Sequence, residues 1–246
     1  MVDKTNQFGT YSRSFITDIP ADLTSSDAIL LDKTIQKFPG EAVYVYSFEK
    51  GKMIYASGWE EVVGYKDAEI SMLKIVMMTA PDFAPFVHEV NDKALMFIHK
   101  KKKDLDKYGF MIEQKKIHKD GSEVPIVARV GIFECKDGNV LSIIGRFQVN
   151  RNLKFGKIMR YAAYGPEKNE FEEELNTTLF YRYAISDKEK EALALVSKGY
   201  SFKEIAHQLN VSKSAIEKRI LPLYKRFEVK SLTHLVSFAY DNDILP

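Results

Sequence analysis

The chain of 246 residues has one cysteine, Cys135, and no apolar run of the length that spans a membrane. One cysteine excludes an intrachain disulfide framework and any four-cysteine metal site, which is typical of a protein in a reducing cytosol. Residues 1–19 also lack a cationic start followed by an apolar core. We therefore expect a cytoplasmic protein without a signal peptide and without a membrane partner.

Catalytic motifs are absent as well. The sequence has no glycine-rich phosphate loop, no Gly-x-Ser-x-Gly elbow and no His-Glu-x-x-His motif, and its five histidines are scattered. We therefore expect a protein that is not an enzyme and that holds no metal centre.

The net positive charge of the whole chain is only +2, but positive charge is concentrated near the C-terminus. Residues 212–230 contain six Lys or Arg and two Glu, a net charge of +4 that leaves −2 for the rest of the chain. Affinity for nucleic acid would then come from this segment and not from a general basic coat. The length and the apolar content of 45% fit a globular protein of two domains.

Three helix-start motifs lie in and just before this basic segment. Ser186 and Ser201 are each followed three residues later by a glutamate, which forms a capping box, and Ser212 is a third N-cap. Gly199 is expected to end the first helix. The third helix has an apolar row with a 4-3-4 spacing, which buries one face. That row consists of Ile216, Ile220, Leu223 and Phe227.

The other faces of the third predicted helix are basic. Three short helices joined by short turns, with a basic third helix, form the arrangement that places a helix in the DNA major groove. Pro222 removes one backbone hydrogen bond inside this helix, and we expect a kink and not a stop because the apolar row continues beyond it. The basic residues are Lys213, Lys218, Arg219, Lys225 and Arg226.

Residues 185–245 resemble the LuxR-type family of bacterial transcription regulators. The resemblance rests on Gly199, on Lys-Glu-Ile-Ala at 203–206, on Leu-x-Val-Ser at 209–212 and on Tyr-Lys-Arg-Phe at 224–227. It implies an all-α, four-helix, helix-turn-helix domain that binds double-stranded DNA. In this family the fourth helix, which begins here at Ser231, often supplies a dimer contact, so we expect a homodimer.

Three positions depart from the family pattern. Ala215, Glu217 and Arg219 stand where members commonly have threonine, lysine and histidine. A glutamate cannot bind phosphate, but it can accept a hydrogen bond from cytosine N4, so Glu217 is expected to specify sequence. The residues predicted to contact DNA are Ser201, Lys203, Ser212, Lys213, Ser214, Glu217, Lys218, Arg219, Leu221, Lys225 and Lys230.

The part upstream alternates β-branched, aromatic segments with turns and short helices. Two Asp-Gly pairs, Asp120-Gly121 and Asp137-Gly138, predict tight antiparallel connections. Longer helices are expected at Ala28–Phe38 and from Phe83 to about Lys102. Strands are predicted at 41–48, 53–55, 109–119, 123–135 and 139–149.

This layout resembles a PAS domain over residues 38–150. The resemblance rests on Gly-Tyr-x-x-x-Glu at 64–69, Lys-Asp-Gly-Ser at 119–122 and Ile-Gly-Arg-Phe-Gln-Val at 144–149. It implies an α+β sensor with a five-stranded antiparallel sheet, with helices on one face, around a small cavity. PAS domains sense ligands, bind cofactors or dimerise.

The cofactor stays unassigned. The flavin photosensor branch of the family needs an Asn-Cys-Arg string, and residues 73–80 contain no cysteine. His88 and His99 lie outside the apolar stripe of their predicted helix, so neither is expected to bind haem. We expect the cavity, lined by the first strand and the last two, to hold a small organic ligand or nothing covalent.

Four segments follow from these assignments. They are an N-terminal extension with an amphipathic helix (1–37), the PAS sensor (38–150), a linker with a helix (151–184) and the helix-turn-helix domain (185–246). The chain before Ser25 is expected to be loosely ordered. The linker helix, predicted at 166–181, has an apolar edge at Phe171, Leu175 and Leu179.

Together these features predict a cytoplasmic transcription regulator that binds specific DNA sequences and senses a small molecule or a protein through its PAS domain. Two alternatives stay open at this point. One is a protein-interaction adaptor that uses both modules, and it would lack affinity for duplex DNA. The other is a haem or redox sensor, which would be coloured.

Overall fold

The structure is a computed structural model that describes residues 9–153, 159–176, 184–242 and 244–245. It divides into two compact units. The first contains residues 1–153 and 163–175, and the second contains residues 154–162 and 176–246. The predicted borders of the four segments stay predictions.

The first unit is built on an antiparallel sheet of five strands, β1 (Glu41–Ser47), β2 (Lys52–Ser57), β3 (Gly109–Ile117), β4 (Glu123–Lys136) and β5 (Asn139–Val149). Their order in the sheet is β2-β1-β5-β4-β3. The two residues of the β4–β5 turn, Asp137 and Gly138, have positive φ angles of 50° and 70°, as a tight hairpin turn of this kind requires. The structure therefore confirms the predicted Asp137-Gly138 turn and the predicted antiparallel PAS-like sheet.

All seven residues of strand β1 are buried. Because successive side chains point to opposite sides of a sheet, both faces of this strand are covered. Tyr44 packs towards Trp59 and Phe147, and Val43 packs in a second cluster on the other side of the sheet. Tyr44 lies opposite Gly145 of β5, where a Cβ atom would stand 2.1 Å from the tyrosine ring. Position 145 therefore requires glycine.

Helices cover both faces of this sheet. Trp59, which begins one of them, is fully buried and donates its indole N–H to the Val43 carbonyl over 3.0 Å. Single turns of 3₁₀ helix lie at Ser12–Ser14, Asp67–Glu69 and Leu105–Lys107. The α-helices are α1 (Ser26–Thr34), α2 (Trp59–Val63), α3 (Met72–Met77) and α4 (Ala84–Lys100).

The prediction for the first helix was wrong at its end. Helix α1 ends at Thr34, four residues before Phe38, whose side chain is 72% exposed. The residue before a proline is disfavoured in the helical region, and Pro39 follows Phe38. Leu31 and Ile35 still pack on the sheet as predicted.

The expectation of loose order before Ser25 was also wrong for the described residues. The Asp92 carboxylate of α4 accepts hydrogen bonds from the backbone N–H groups of Tyr11 and Ser12, at 3.0 and 2.7 Å, and from the Ser12 hydroxyl. The Tyr46 hydroxyl donates to the Phe15 carbonyl at 2.9 Å. These contacts come from residues distant in sequence, so no local pattern predicts them.

Two further strands and a helix follow the sensor sheet. Strands β6 (Met159–Tyr164) and β7 (Ala184–Ile185) pair in parallel, with Met159 opposite Ala184, so the described chain has more strands than the five predicted. Helix α5 (Lys168–Asn176) lies within the predicted linker helix. The predicted apolar positions Leu175 and Leu179 fall outside the residues whose side chains are described.

The second unit contains four helices in its described part, as predicted. Each begins at a serine whose hydroxyl accepts a backbone N–H, and both capping boxes are present. The third of these helices continues through Pro222, so the stop is excluded. The helices are α6 (Asp187–Ser197), α7 (Phe202–Gln208), α8 (Lys213–Arg226) and α9 (Leu232–Asp241).

The four helices enclose an apolar core. The predicted row of α8 is buried, and Ile216, Ile220 and Leu223 are fully inaccessible to solvent. In the described part of either unit, no helix combines the length and the apolarity needed to cross a membrane.

Candidate functional site

Helix α8 presents its buried row to the core and its predicted contact residues to solvent. Lys218 and Lys225 are exposed, and Leu221 is 49% exposed although it is apolar. Helix α7 precedes α8, and the turn between them uses Asn210 with a positive φ of 51°. The exposed residues of the predicted set are Ser201, Lys203, Ser212, Lys213, Ser214, Lys218, Leu221, Lys225 and Lys230.

Glu217 is half-buried and holds one of these lysines. Its carboxylate lies 3.1 Å from the Lys213 ammonium, one helical turn earlier. An exposed pair of this spacing contributes little to stability, about 0.3–0.5 kcal/mol. The pair can therefore separate at low cost when a phosphate or a base edge competes for either member.

Arg219 faces another helix of its own unit. Its side chain is 18% exposed, and its guanidinium lies 3.8 Å from the Glu191 carboxylate of α6. A contact of Arg219 with DNA stays a prediction. The exposed residues of the predicted set are more accessible to a DNA duplex than Arg219 is.

The placement of Arg226 among the basic outer faces was wrong. Its side chain is 2% exposed, and Nη1 donates to the Glu189 carboxylate over 2.9 Å. The same carboxylate accepts from the Ser186 backbone N–H and hydroxyl, so one group caps α6 and joins it to α8. The pattern did contain an indication, because Arg226 lies three residues after the buried Leu223, in line with the apolar row.

A cavity of about 120 Å³ lies inside the first unit. The three strands predicted to line it do so, through Tyr44 of β1, Ala128 of β4 and Phe147 of β5. The N-terminal segment adds Ser12 and Ile16, which sequence reasoning did not assign to the cavity. Helix α5 adds Lys168 and Phe171, and other walls come from Met72, Ile75, Val87, Leu95, Phe97 and Ile112.

Strand β3 contributes two polar residues to this cavity that the sequence analysis missed. Gln114 and Lys116 are each 2% exposed and share one face of the strand with Ile112. The Lys116 ammonium donates to the Ile75 carbonyl and to the Thr79 hydroxyl, each at 2.7 Å. Burial lowers the pKa of Lys116 to about 7. The period-2 alternation of β3 would have placed both residues on the face of Ile112.

The two histidines of α4 lie outside the cavity wall. His99 shares a 3.0 Å hydrogen bond with the Tyr11 hydroxyl and packs against Phe15 and Phe48. Burial lowers the pKa of His99. Burial, followed by the charge of Lys116, lowers the pKa of His88 to about 4. Neither ring lines the cavity described above.

The two units define a class of protein: a PAS-like sensor joined to a helix-turn-helix domain. The family model for the bacterial regulatory proteins of the luxR family (GerE) matches residues 184–239. The second unit therefore contains a LuxR-type DNA-binding domain, and the protein is a transcription regulator.

Other comparisons give distant likenesses. No curated protein sequence matches the chain. The chain is similar to a phage VqmA–DPO complex, with 15% identity over 89% of this chain and 92% of that one and a TM-score of 0.34. It is also similar to the VqmA dimer of Vibrio cholerae, with 18% identity over 89% of each chain and a TM-score of 0.36. A PAS domain from Colwellia psychrerythraea shares 15% identity over 52% of this chain and all of that domain, with a TM-score of 0.38.

Proposed function

We propose that this protein regulates transcription as a homodimer in the cytoplasm and that a small molecule in the PAS-like cavity controls its binding to DNA. It acts by binding and not by catalysis. The main support for this proposal is the exposed lysine and serine surface of α8. The opposite face of the same helix packs in the core of a LuxR-type domain.

The proposed DNA contact divides into two kinds. Lys213, Lys218, Lys225 and Lys230 bind phosphates, which sets affinity and its dependence on salt. Glu217 lies near the start of α8, where side chains reach base edges, and it selects sequence together with Lys218.

The proposed control by ligand rests on the cavity wall. Phe171 of α5 lines the cavity, and its ring centroid lies 5.1 Å from that of Phe97 of α4. Helix α5 leads along the chain to the DNA-binding unit. A ligand that favours one position of α5 over another would therefore shift the population of DNA-binding states.

Binding to duplex DNA tests the first part directly. A preferred duplex is selected from random sequences, and affinity of the full-length protein is measured by fluorescence anisotropy over a series of NaCl concentrations. Each of the four Lys→Ala variants should weaken binding to specific and non-specific duplexes alike and flatten the salt slope by about one unit.

Lys198 provides a matched control, since it is an exposed lysine of the same unit outside α8. Its alanine variant should keep the wild-type salt slope. Unchanged slopes in all four α8-region variants would contradict the proposed contact. A wild-type protein with no affinity for duplex DNA at low salt would instead favour the protein-interaction adaptor.

A further inference from the structure

Lys116 has a buried amino group without an anionic partner among the described residues. Its two hydrogen-bond acceptors are a carbonyl and a hydroxyl, both uncharged, and burial alone lowers its pKa, so no carboxylate contributes. An ammonium has three N–H donors, and these two bonds use two of them. The third is available to a molecule in the cavity that Lys116 lines.

The surroundings of Lys116 add a second buried base and no negative charge. His88 of α4 is close enough for the charge of Lys116 to contribute to the lowering of its pKa, and its buried Nε2 atom has no hydrogen-bond partner in the described structure. Two bases therefore share this region of the sensor. Buried charges in proteins are ordinarily paired, so the missing anion is expected to come from the ligand.

Gln114 offers a second unsatisfied group on the same wall. Its Oε1 atom is buried and accepts no hydrogen bond from the described residues. It stands two residues before Lys116 on the same face of β3, and both side chains line the cavity. Buried polar atoms are nearly always paired, so an unpaired acceptor beside a free donor indicates a ligand with both functions.

The remaining walls limit the size and shape of that ligand. Tyr44, Phe97 and Phe147 are aromatic, and the side chains of α3 that face the cavity are aliphatic or thioether. A volume of about 120 Å³ suits a small ring with one or two substituents.

We propose that the sensor cavity binds a small aromatic acid, whose anionic oxygen accepts a hydrogen bond from Lys116 and whose N–H or O–H group donates to Gln114. The inference deepens the proposed function, since it names the chemical class of the ligand that the sensor recognises. A charge-assisted hydrogen bond inside an apolar cavity discriminates strongly between an acid and its neutral analogue.

Calorimetric titration of the full-length protein, without DNA, tests this assignment with matched pairs of compounds. Pyrrole-2-carboxylate carries both functions and benzoate carries the acid alone, and each is compared with its neutral carboxamide. The wild type should bind each carboxylate at least about tenfold more tightly than its carboxamide, a factor that corresponds to one good charge-assisted bond.

Three variants test which residues cause the preference for carboxylates. Lys116→Met should abolish the preference for the carboxylates, and Gln114→Met should weaken binding of pyrrole-2-carboxylate but not of benzoate. Lys115→Met removes the same charge from the neighbouring residue, which pairs with Glu123 outside the cavity, and it should behave as the wild type. Circular dichroism checks that each variant is folded.

The proposal is overturned if the wild type does not prefer either carboxylate, or if folded Lys116→Met keeps the preference. A Lys116→Met variant that does not fold leaves the decision to the wild-type comparison of acid and amide. Because the titration contains no DNA, these outcomes are separate from the salt-slope test, and either proposal can fail alone.

Discussion

Lys116 links the stability of the sensor to pH, because its amino group is buried. Its pKa is lowered from 10.5 to about 7 in the folded protein. Between these two values the unfolded chain binds a proton that the folded chain does not, so stability rises with pH across this window. Below pH 7 both states are protonated, and the destabilisation by Lys116 is complete and no longer depends on pH.

We expect the free energy of unfolding of the wild type to increase by about 2–3 kcal/mol between pH 7 and 9, relative to Lys116→Met, since one pKa unit corresponds to about 1.4 kcal/mol. Urea denaturation of both proteins at the two pH values measures this difference. The nearby His88 stays uncharged over this range, because its pKa is lowered to about 4, and burial raises the pKa of Tyr44. Parallel pH profiles for wild type and variant would contradict the assignment to Lys116.

Glu217 illustrates how one carboxylate on a basic surface can serve specificity. It holds Lys213 at 3.1 Å, so its removal frees a lysine and removes a negative charge near the DNA. Glu217→Ala should relax base preference at one position by roughly 1–3 kcal/mol while total affinity holds or rises.

Competition between duplexes that differ at single base pairs measures this preference. Lys213→Ala is the control, since it removes the partner of Glu217 and should weaken all duplexes equally. A uniform loss of affinity in Glu217→Ala, with the base preference kept, would make Glu217 a structural residue.

Helix α8 has neighbouring cations with different tasks. Arg226 is buried against Glu189, whereas Lys225 is exposed. Removing one partner of a buried ion pair leaves the other charge uncompensated, so Arg226→Met should lower the free energy of unfolding of the second unit by roughly 3–5 kcal/mol.

Lys225→Met should leave stability nearly unchanged and should weaken DNA binding through the loss of one phosphate contact. Thermal unfolding of both variants, followed by circular dichroism, separates the two residues. Equal stabilities would mean that the Arg226–Glu189 pair does not join α6 to α8.

The elements that the sequence predicted well are those with local causes. Ser186 and Ser201 mark helix starts through hydrogen bonds within four residues, and the Asp137-Gly138 turn is fixed by its own backbone angles. The lining of the cavity by β1, β4 and β5 followed from strand composition.

The elements that the sequence did not predict have distant causes. The order of the N-terminal segment depends on Asp92, about eighty residues away, and the burial of Arg226 depends on Glu189, 37 residues away. In the sequence, Lys116 cannot be distinguished from a surface lysine. Its burial becomes clear only when the alternation of β3 is combined with the packing of α3, whose Ile75 carbonyl accepts a hydrogen bond from Lys116.

The cavity joins segments from the whole length of the first unit. Ser12 comes from the N-terminal segment, Leu95 from α4 and Phe171 from α5, which leads to the DNA-binding unit. Helix α5 is also tied to the end of α4 by ion pairs of Lys101 with Glu167 and, at 2.9 Å, with Glu170. A ligand in the cavity would therefore touch the element that continues into the second unit.

This connection makes Phe171 the residue through which we expect occupancy of the cavity to affect DNA binding. In the wild type, saturation with pyrrole-2-carboxylate should change the affinity for the selected duplex by a factor of roughly 5 to 150, the usual range of coupling between two sites. Phe171→Ala should bring this factor close to one, because the ligand loses its aromatic contact with α5. The exposed Phe133 of β4 does not line the cavity, so Phe133→Ala serves as the control and should keep the wild-type factor.

Anisotropy titrations of DNA with and without the acid measure this factor, and calorimetry establishes that each variant still binds the acid. If Phe171→Ala binds the acid and still shows the wild-type change in DNA affinity, the coupling does not depend on Phe171. If the acid does not change the DNA affinity of the wild type, control by this class of ligand is refuted.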